Sequence, residues 1–314
     1  MFVYIIFIIS LTVLIYGADI IINQSEKIAL KFSISEYIIG ATLIALGTSL
    51  PEMAASITAS YNNKPELSIS NIVGSNILNI TLVLGIVLVL AKDINPRRDF
   101  FAKDSSWALF PVVIFIAIIL GGEISRFSGF ILIILMCAYI LFLIKHDKDT
   151  LELTKDDDIK INTEFNWLKV IILLIIGFLM VVYGADYTVK SASTIAKSFG
   201  VSDWIVGVVL IALGTSMPEL VVSITAALKG KADMAIGNII GSNMANITIA
   251  LGAAAITKPI KIDFYAYMFD ISTMLIATLM LVFITANKMY SKPAGISLLV
   301  LLMVFMEHTI KNVL

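Results

Sequence analysis

Two glutamates carry the chemistry of this sequence. Glu52 and Glu219 each fall well inside a long apolar stretch, where an ionised side chain costs about 2.5 to 3.5 kcal/mol on insertion scales. No Lys or Arg lies near the middle of any apolar stretch, so the offsetting charge must be a proton or a bound metal ion. The neighbouring residues favour metal. In Ala45-Leu46-Gly47-Thr48-Ser49-Leu50-Pro51-Glu52, the proline removes a backbone donor and clashes with the carbonyl four residues back, which breaks a helix at Gly47 and frees carbonyls around Gly47 and Thr48. Thr48 and Ser49 stand four and three residues before Glu52, a spacing that predicts hydroxyls, carboxylate and freed carbonyls on one helix face. Ala212, Gly214, Thr215, Ser216, Pro218 and Glu219 repeat the arrangement. Further on, Ser75 and Asn79, and again Ser242 and Asn246, are four apart and follow Gly74 and Gly241, which permit close backbone approach.

Brought together, these residues make an all-oxygen cage of charge -2 with no imidazole or thiolate. Oxygen ligation selects hard cations, and Ca2+ accepts about six to eight oxygens at about 2.3 to 2.6 Å in flexible geometry. Two bidentate glutamates and two carbonyls supply six of them. Mg2+ suits the same donors less well, because it demands tighter octahedral geometry and dehydrates reluctantly. Na+ takes hydroxyl and carbonyl oxygens readily, so Ser49, Ser75, Ser216 and Ser242 can hold it beside the carboxylates. One Ca2+, or two or more Na+, neutralises the pair, and competition for the same charge is a route to exchange.

The elements that must position these groups are membrane helices. Of 314 residues, 59% are hydrophobic and only 14% charged, against about 25% charged in soluble domains, and the mean hydropathy is +0.97. A helix needs about 20 apolar residues to cross the hydrocarbon core. Ten stretches qualify, at 2–23, 36–60, 67–91, 104–121, 127–144, 167–188, 203–228, 233–257, 264–286 and 293–313. Uninterrupted runs of this length satisfy their backbone as helices rather than barrel strands, so the fold class is an all-α polytopic membrane protein. The odd-numbered connections hold 15 Lys and Arg, the even-numbered ones and the termini 7. The larger set belongs in the cytoplasm, which puts both termini outside and the hydrophilic loop 145–166 inside. That loop concentrates 11 of the 45 charged residues between Lys145 and Glu164. Its run Asp156-Asp157-Asp158 reads as a solvated acidic linker rather than a regulatory cation site.

The sequence also repeats itself at an offset of 167 residues. Tyr16-Gly17-Ala18-Asp19 recurs as Tyr183-Gly184-Ala185-Asp186, and GATLIALGTSLPE from Gly40 as GVVLIALGTSMPE from Gly207. Ser56, Asn71, Gly74-Ser75-Asn76, Asn79 and Gly85 recur as Ser223, Asn238, Gly241-Ser242-Asn243, Asn246 and Gly252. The chain therefore divides into a five-span repeat at 1–144, the loop at 145–166, and a second five-span repeat at 167–314. With an odd number of spans in each, the second copy enters the membrane from the opposite side. Inverted repeats with helices broken near the midplane are the architecture of secondary transporters.

GTSLPE and GTSMPE, followed by GSNILN and GSNMAN, resemble the two α-repeats of the cation/Ca2+ exchanger superfamily, most closely its Na+/Ca2+ exchanger branch, over essentially the whole chain. The resemblance implies electrogenic exchange of several Na+ for one Ca2+ and a sliding pair of long helices, spans 1 and 6, that alternates access. By motif position it places Ca2+ on Glu52, Glu219 and the Thr48 and Thr215 carbonyls. It places Na+ near Ala45, Ser49 and Ser242 in one site and near Ala212, Ser216 and Ser75 in the other, with Asn79 and Asn246 at the centre. The K+-dependent exchangers and some prokaryotic relatives carry Asp where this chain has Asn246, and the superfamily's proton exchangers use a different motif around the glutamate. Both points favour Na+ and argue against K+ coupling.

Other features fit simpler roles. Asp19 and Asp186 are placed to line an entrance on opposite sides, though snorkelling or capping explains them as well. Asp270, Glu307 and His308 occur in one copy only and read as structural. Cys137 is the single cysteine and stands in an apolar run, where it makes neither a disulfide nor a soft-metal site. Phe2 to Tyr16 lacks the basic start of a cleaved signal and reads as a retained span in the cell membrane. A net charge of -1 without a basic cluster excludes nucleic acid as a partner; the expected partners are Na+, Ca2+ and the bilayer, with no cofactor. Enzyme readings fail because His146 and His308 are the only histidines and neither lies beside a candidate serine. A passive Ca2+ channel is the remaining alternative, but pores build carboxylate rings from several subunits.

Overall fold

Long apolar runs close their backbone hydrogen bonds internally, and the computed structural model accordingly shows a helical protein; it describes residues 2–91, 105–151, 165–200 and 212–313. The helices are α1 (Phe2–Phe32), α2 (Glu36–Thr48), α3 (Leu50–Tyr61), α4 (Pro65–Leu90), α5 (Ser105–Ile119) and α6 (Arg126–Leu151). After them come α7 (Trp167–Ser198), the single turn α8 (Ala212–Thr215), α9 (Met217–Leu228), α10 (Ala232–Thr257), α11 (Met268–Ala286) and α12 (Lys292–Val313). Among the described residues seven helices are long and apolar enough to cross a membrane, and α2 with α3 forms an eighth span bent by 48°. The short apolar helices Ser106–Ile119 and Met217–Leu228 fall in two further stretches expected to span, so helical structure occupies all ten. The first part of the seventh stretch, 203–211, and the Asp156–Asp158 run lie outside the described residues.

The inversion of the repeats is visible where the two long equivalent helices meet. Ser10 of α1 accepts a hydrogen bond from Thr188 of α7 at 2.9 Å, Leu14 lies against Gly184, and Gly17 lies against Gly177 and Val181. Positions that rise along α1 fall along α7, so the helices run antiparallel. Glycine is required at this crossing. A Cβ on Gly17 would come within 2.8 Å of the Met180 Cβ and 2.9 Å of the Gly177 carbonyl, and one on Gly184 within 2.9 Å of the Leu14 backbone.

The repeats interleave rather than stand side by side. Helix α4 packs on α12 and α10 on α6, so the third span of each copy lies against the fifth of the other, and α5 packs on α11. A two-stranded pairing of Glu123 and Ile124 with Lys261 and Ile260 joins the α5–α6 connection to the α10–α11 connection. The most buried of the candidate spans are α4 and α10, which carry the serine and asparagine motifs.

Helices α1 and α7 extend about a turn or more beyond the expected ends at 23 and 188, because polar residues there find partners. On α1 the stripe Asp19, Asn23 and Glu26 faces the connection between α9 and α10. Lys229 pairs with Asp19 and donates to the Asn23 amide oxygen at 2.8 Å, while Lys231 pairs with Glu26 and with Glu36 of α2 at 2.7 Å. Asp186, the copy of Asp19, pairs instead with Lys190 on its own helix at 2.8 Å. Ion pairing thus accounts for both aspartates. Helix α6 likewise runs to Leu151 rather than ending at 144. Phe269 and His308 stack at 3.5 Å and Glu307 pairs with Lys311 at 2.6 Å, in keeping with structural roles.

The tight crossing makes a stability prediction. Gly17→Val should destabilise the purified protein by about 1 to 3 kcal/mol, the usual cost of overpacking, read as a lowered thermal midpoint in detergent. Leu30→Ala, on the exposed side of α1, should leave the midpoint nearly unchanged.

Candidate cation site

The two sequence copies break their helices in the same way. At Ser49 the backbone turns to φ -84° and ψ 5°, and at Ser216 to φ -87° and ψ 4°. A proline follows two positions later in each, near the start of the next helix, where its missing N–H leaves no bond unmade. The break falls at Ser49, two residues after the Gly47 position expected from the proline. Across it Ser49 N–H donates to the Ala45 carbonyl at 3.0 Å and Met53 N–H to the Ser49 carbonyl at 3.0 Å; among the described residues no backbone N–H closes onto Gly47 or Thr48 across the break. A π-helical turn at Gly40–Ile44 precedes it, and π turns also interrupt α4 at Asn79–Leu84 and α10 at Asn246–Ala250.

Glu52 and Glu219 occupy the third position of α3 and α9, at helix N-termini, where unsatisfied N–H groups and the helix dipole favour negative charge. Both are 1% exposed. The Ser-x-x-Glu spacing at each start matches a local capping box, yet neither serine caps its helix. Ser49 instead donates across the repeats to Glu219 Oε1 at 2.9 Å. The hydroxyl–carboxylate pairing expected within one helix is thus made between the two copies, across a 48° bend between α2 and α3. The reciprocal bond is not made: Ser216 Oγ is buried without a partner.

Unpartnered oxygens are concentrated here. Of nine buried side-chain polar atoms without a hydrogen bond among the described residues, seven are Glu52 Oε2, Glu219 Oε2, Ser75 Oγ, Ser216 Oγ, Ser242 Oγ, Asn79 Oδ1 and Asn246 Oδ1. Each such atom costs about 1 to 3 kcal/mol when nothing satisfies it, and native interiors hold few. The ion pairs of the described residues lie elsewhere. The donor set is hard, oxygen-only and anionic, which fits Ca2+ and Na+.

The remaining expected residues fall around this cluster unequally. Thr48 is fully buried and Thr215 only partly so. The Thr48 hydroxyl has two acceptors at 3.3 Å, the Ala45 carbonyl and Asn238 Oδ1. Ala45 is buried and its carbonyl already receives Ser49 N–H. Ala212 begins α8. Gly241 approaches the α2 backbone as expected, since a Cβ there would lie 2.3 Å from the Ala41 carbonyl, whereas no described residue comes within 4 Å of the corresponding position on Gly74.

A family model described as "Sodium/calcium exchanger protein" matches residues 2–145 and 169–311. The chain belongs to that family. The sodium-calcium exchanger NCX_Mj, solved after soaking with zero Na+ and Ca2+, superposes with a TM-score of 0.79 at 32% identity, covering 98% of both chains. The sodium/calcium exchanger MaX1 of Methanosarcina acetivorans is 29% identical over 341 residues, covering 96% of this chain and 97% of the relative. An uncharacterized membrane protein of Methanocaldococcus jannaschii, MJ0091, is 38% identical over 253 residues, 80% of each chain. Cation exchange is the activity of this family, and the fold is that of a polytopic exchanger.

The structure of this family member adds residues that motif reading left without a role. Asn71 donates to the Glu52 carbonyl at 3.2 Å and to Ser56 Oγ at 2.9 Å. Its copy Asn238 donates to Ser223 Oγ at 3.0 Å. These pairs brace the helices that present the glutamates, and their recurrence at the 167-residue offset was the available signal. If the orphaned oxygens hold cations, Ca2+ at about a hundred times its dissociation constant should stabilise the purified protein by about 2.7 kcal/mol, seen as a raised thermal midpoint. Glu52→Gln and Glu219→Gln should each lose most of that rise.

Proposed function

We propose that this protein exchanges Na+ for Ca2+ across the cell membrane by alternating access, that the exchange is electrogenic and independent of K+, and that no cofactor or enzymatic step takes part. The observation that carries this reading is the pair of buried carboxylates, each with an unpartnered oxygen, surrounded by buried hydroxyl and amide oxygens. Ca2+ binds Glu52 and Glu219 with the Thr48 and Thr215 carbonyls. Na+ binds near Ala45, Ser49 and Ser242 on one side and near Ala212, Ser216 and Ser75 on the other, with Asn79 and Asn246 between.

The exchange follows from charge. One Ca2+ neutralises two carboxylates, and two Na+ do the same; a third Na+ per cycle moves net charge. A carboxylate pair left without either is costly in a low-dielectric interior, which disfavours reorientation of the empty protein and couples the two fluxes. Ser49 is bonded to Glu219, so a Na+ taking the Ser49 oxygen also touches the Ca2+ anchor. The Thr48 hydroxyl has one hydrogen and two acceptors; turning it to Asn238 releases a lone pair of the Ala45 carbonyl for Na+. Helices α1 and α7, crossing on glycines, are the pair that slides. The chain works as two inverted five-span repeats, 1–144 and 167–314, joined by the cytoplasmic loop 145–166, with both termini outside.

In Na+-loaded vesicles, Ca2+ uptake should require the outward Na+ gradient, proceed without K+, and respond to an imposed membrane potential. Uptake that survives collapse of the Na+ gradient and is driven by a pH gradient would make the protein a proton exchanger, and uptake indifferent to both would make it a channel. Glu52→Gln and Glu219→Gln should each reduce uptake at least about a hundredfold, since each removes one of two anchoring charges worth about 1.5 to 3 kcal/mol or more per charged contact.

A further inference from the structure

At the centre of the cluster four asparagines lock together across the repeats. Asn76 Nδ2 donates to the Asn243 backbone carbonyl at 3.3 Å, and Asn243 Nδ2 donates to the Asn76 backbone carbonyl at 3.3 Å. Asn246 Nδ2 donates to Asn76 Oδ1 at 3.1 Å, and Asn79 Nδ2 donates to Asn243 Oδ1 at 3.0 Å. The two outer oxygens, Asn79 Oδ1 and Asn246 Oδ1, are buried and unpartnered, and all four helical positions lie on α4 or α10.

Such an arrangement has only one way round. A backbone carbonyl accepts and never donates, so the group of Asn76 that faces the Asn243 carbonyl must be the amino end. That leaves Asn76 Oδ1 as an acceptor, which turns the amino end of Asn246 toward it and the Asn246 oxygen away from it. The same steps run from the Asn76 carbonyl through Asn243 to Asn79. Reversing either outer amide would set two oxygens against each other and put an N–H2 group where the unpartnered oxygen now stands. We infer that Asn76 and Asn243 are positioning residues: each passes the polarity of a main-chain carbonyl through its own amide to Asn246 or Asn79, so that the amide oxygens of those two residues point into the chamber as neutral cation ligands.

This inference rests on the proposed cation chamber, but not on exchange. It also explains why two neutral amides can stand where an N–H2 group would repel any cation. An Asn needs to be aimed; an Asp, with oxygens at both ends, has no wrong way round. The relay therefore matters only while residues 79 and 246 are amides.

A double-mutant cycle separates this role from packing. The probes are Ca2+ binding to purified protein and its displacement by Na+. Asn76→Leu, which keeps the branching and number of side-chain heavy atoms but removes the amide, should weaken binding about tenfold in the native background, a loss of one properly aimed ligand worth about 1.4 kcal/mol. In the Asn246→Asp background the same substitution should cost less than about twofold. The mirror cycle, Asn243→Leu with Asn79→Asp, should behave alike and serves if Asn76→Leu does not fold. An equal loss in both backgrounds, no loss in the native one, or failure of both leucine variants to fold in either background overturns the inference. Native protein that binds Ca2+ and Na+ but does not exchange them would overturn the proposed function while leaving the cycle readable.

Discussion

Two carboxylates of the same sign share one apolar interior, and most of the structure is arranged around that fact. Like charges repel more strongly as the surroundings become less polar, and burial strips each of its hydration. The fold answers with helix N-termini behind both glutamates, a serine that abandons its own helix to donate to the opposite carboxylate, and an asparagine, Asn71, that braces the main chain at Glu52. None of these supplies a positive charge. The orphaned oxygens mark where protein donors stop.

The duplicated sequence does not produce two equal half-sites. Ser49 reaches Glu219 while Ser216 reaches nothing, and Thr48 is sealed while Thr215 is partly open. Gly47 is crowded by Phe178 of α7, where an added Cβ would lie 2.1 Å from the ring, whereas Gly214 faces Val189 at 3.3 Å. The two lysines that grip α1 through Asp19 and Glu26 have no equivalent on the matching end of α7, where Asp186 turns to its own helix. A strictly symmetric molecule would present both sides of the site identically. The two copies are therefore unequal in this structure although their sequences repeat.

Much of this was legible beforehand because the relevant physics is local or periodic. Apolar runs about 20 residues long announce helices, proline at 51 and 218 announces a break, and a doubled glutamate in hydrocarbon announces a counter-ion. Glu52, Glu219, Ser49, Ser75, Ser216, Ser242, Asn79 and Asn246 are all buried, and all but Ser49 carry a side-chain oxygen without a partner among the described residues. What spacing could not convey is which side chain a donor chooses when a nearby and a distant acceptor compete. The three-residue spacing set the Ser49 hydroxyl and the Glu52 carboxylate on one helix face, and the tertiary fold turned Ser49 to Glu219 instead. Asn76 and Asn243 were visible as repeated letters, but their role depends on contacts between positions 164 to 170 residues apart. The extra turns of α1 depend likewise on lysines far along the chain.

The asparagine lattice joins Asn76 to Asn246 and Asn79 to Asn243, and no bond within it closes inside one copy. Either half of this protein, inserted alone, would therefore display amides with nothing to orient them, and the second half a glutamate lacking its serine. It would become whole only on meeting an upside-down twin. Fusing both orientations into one polypeptide removes the need for that encounter and delivers the mates in fixed one-to-one proportion, already facing opposite ways.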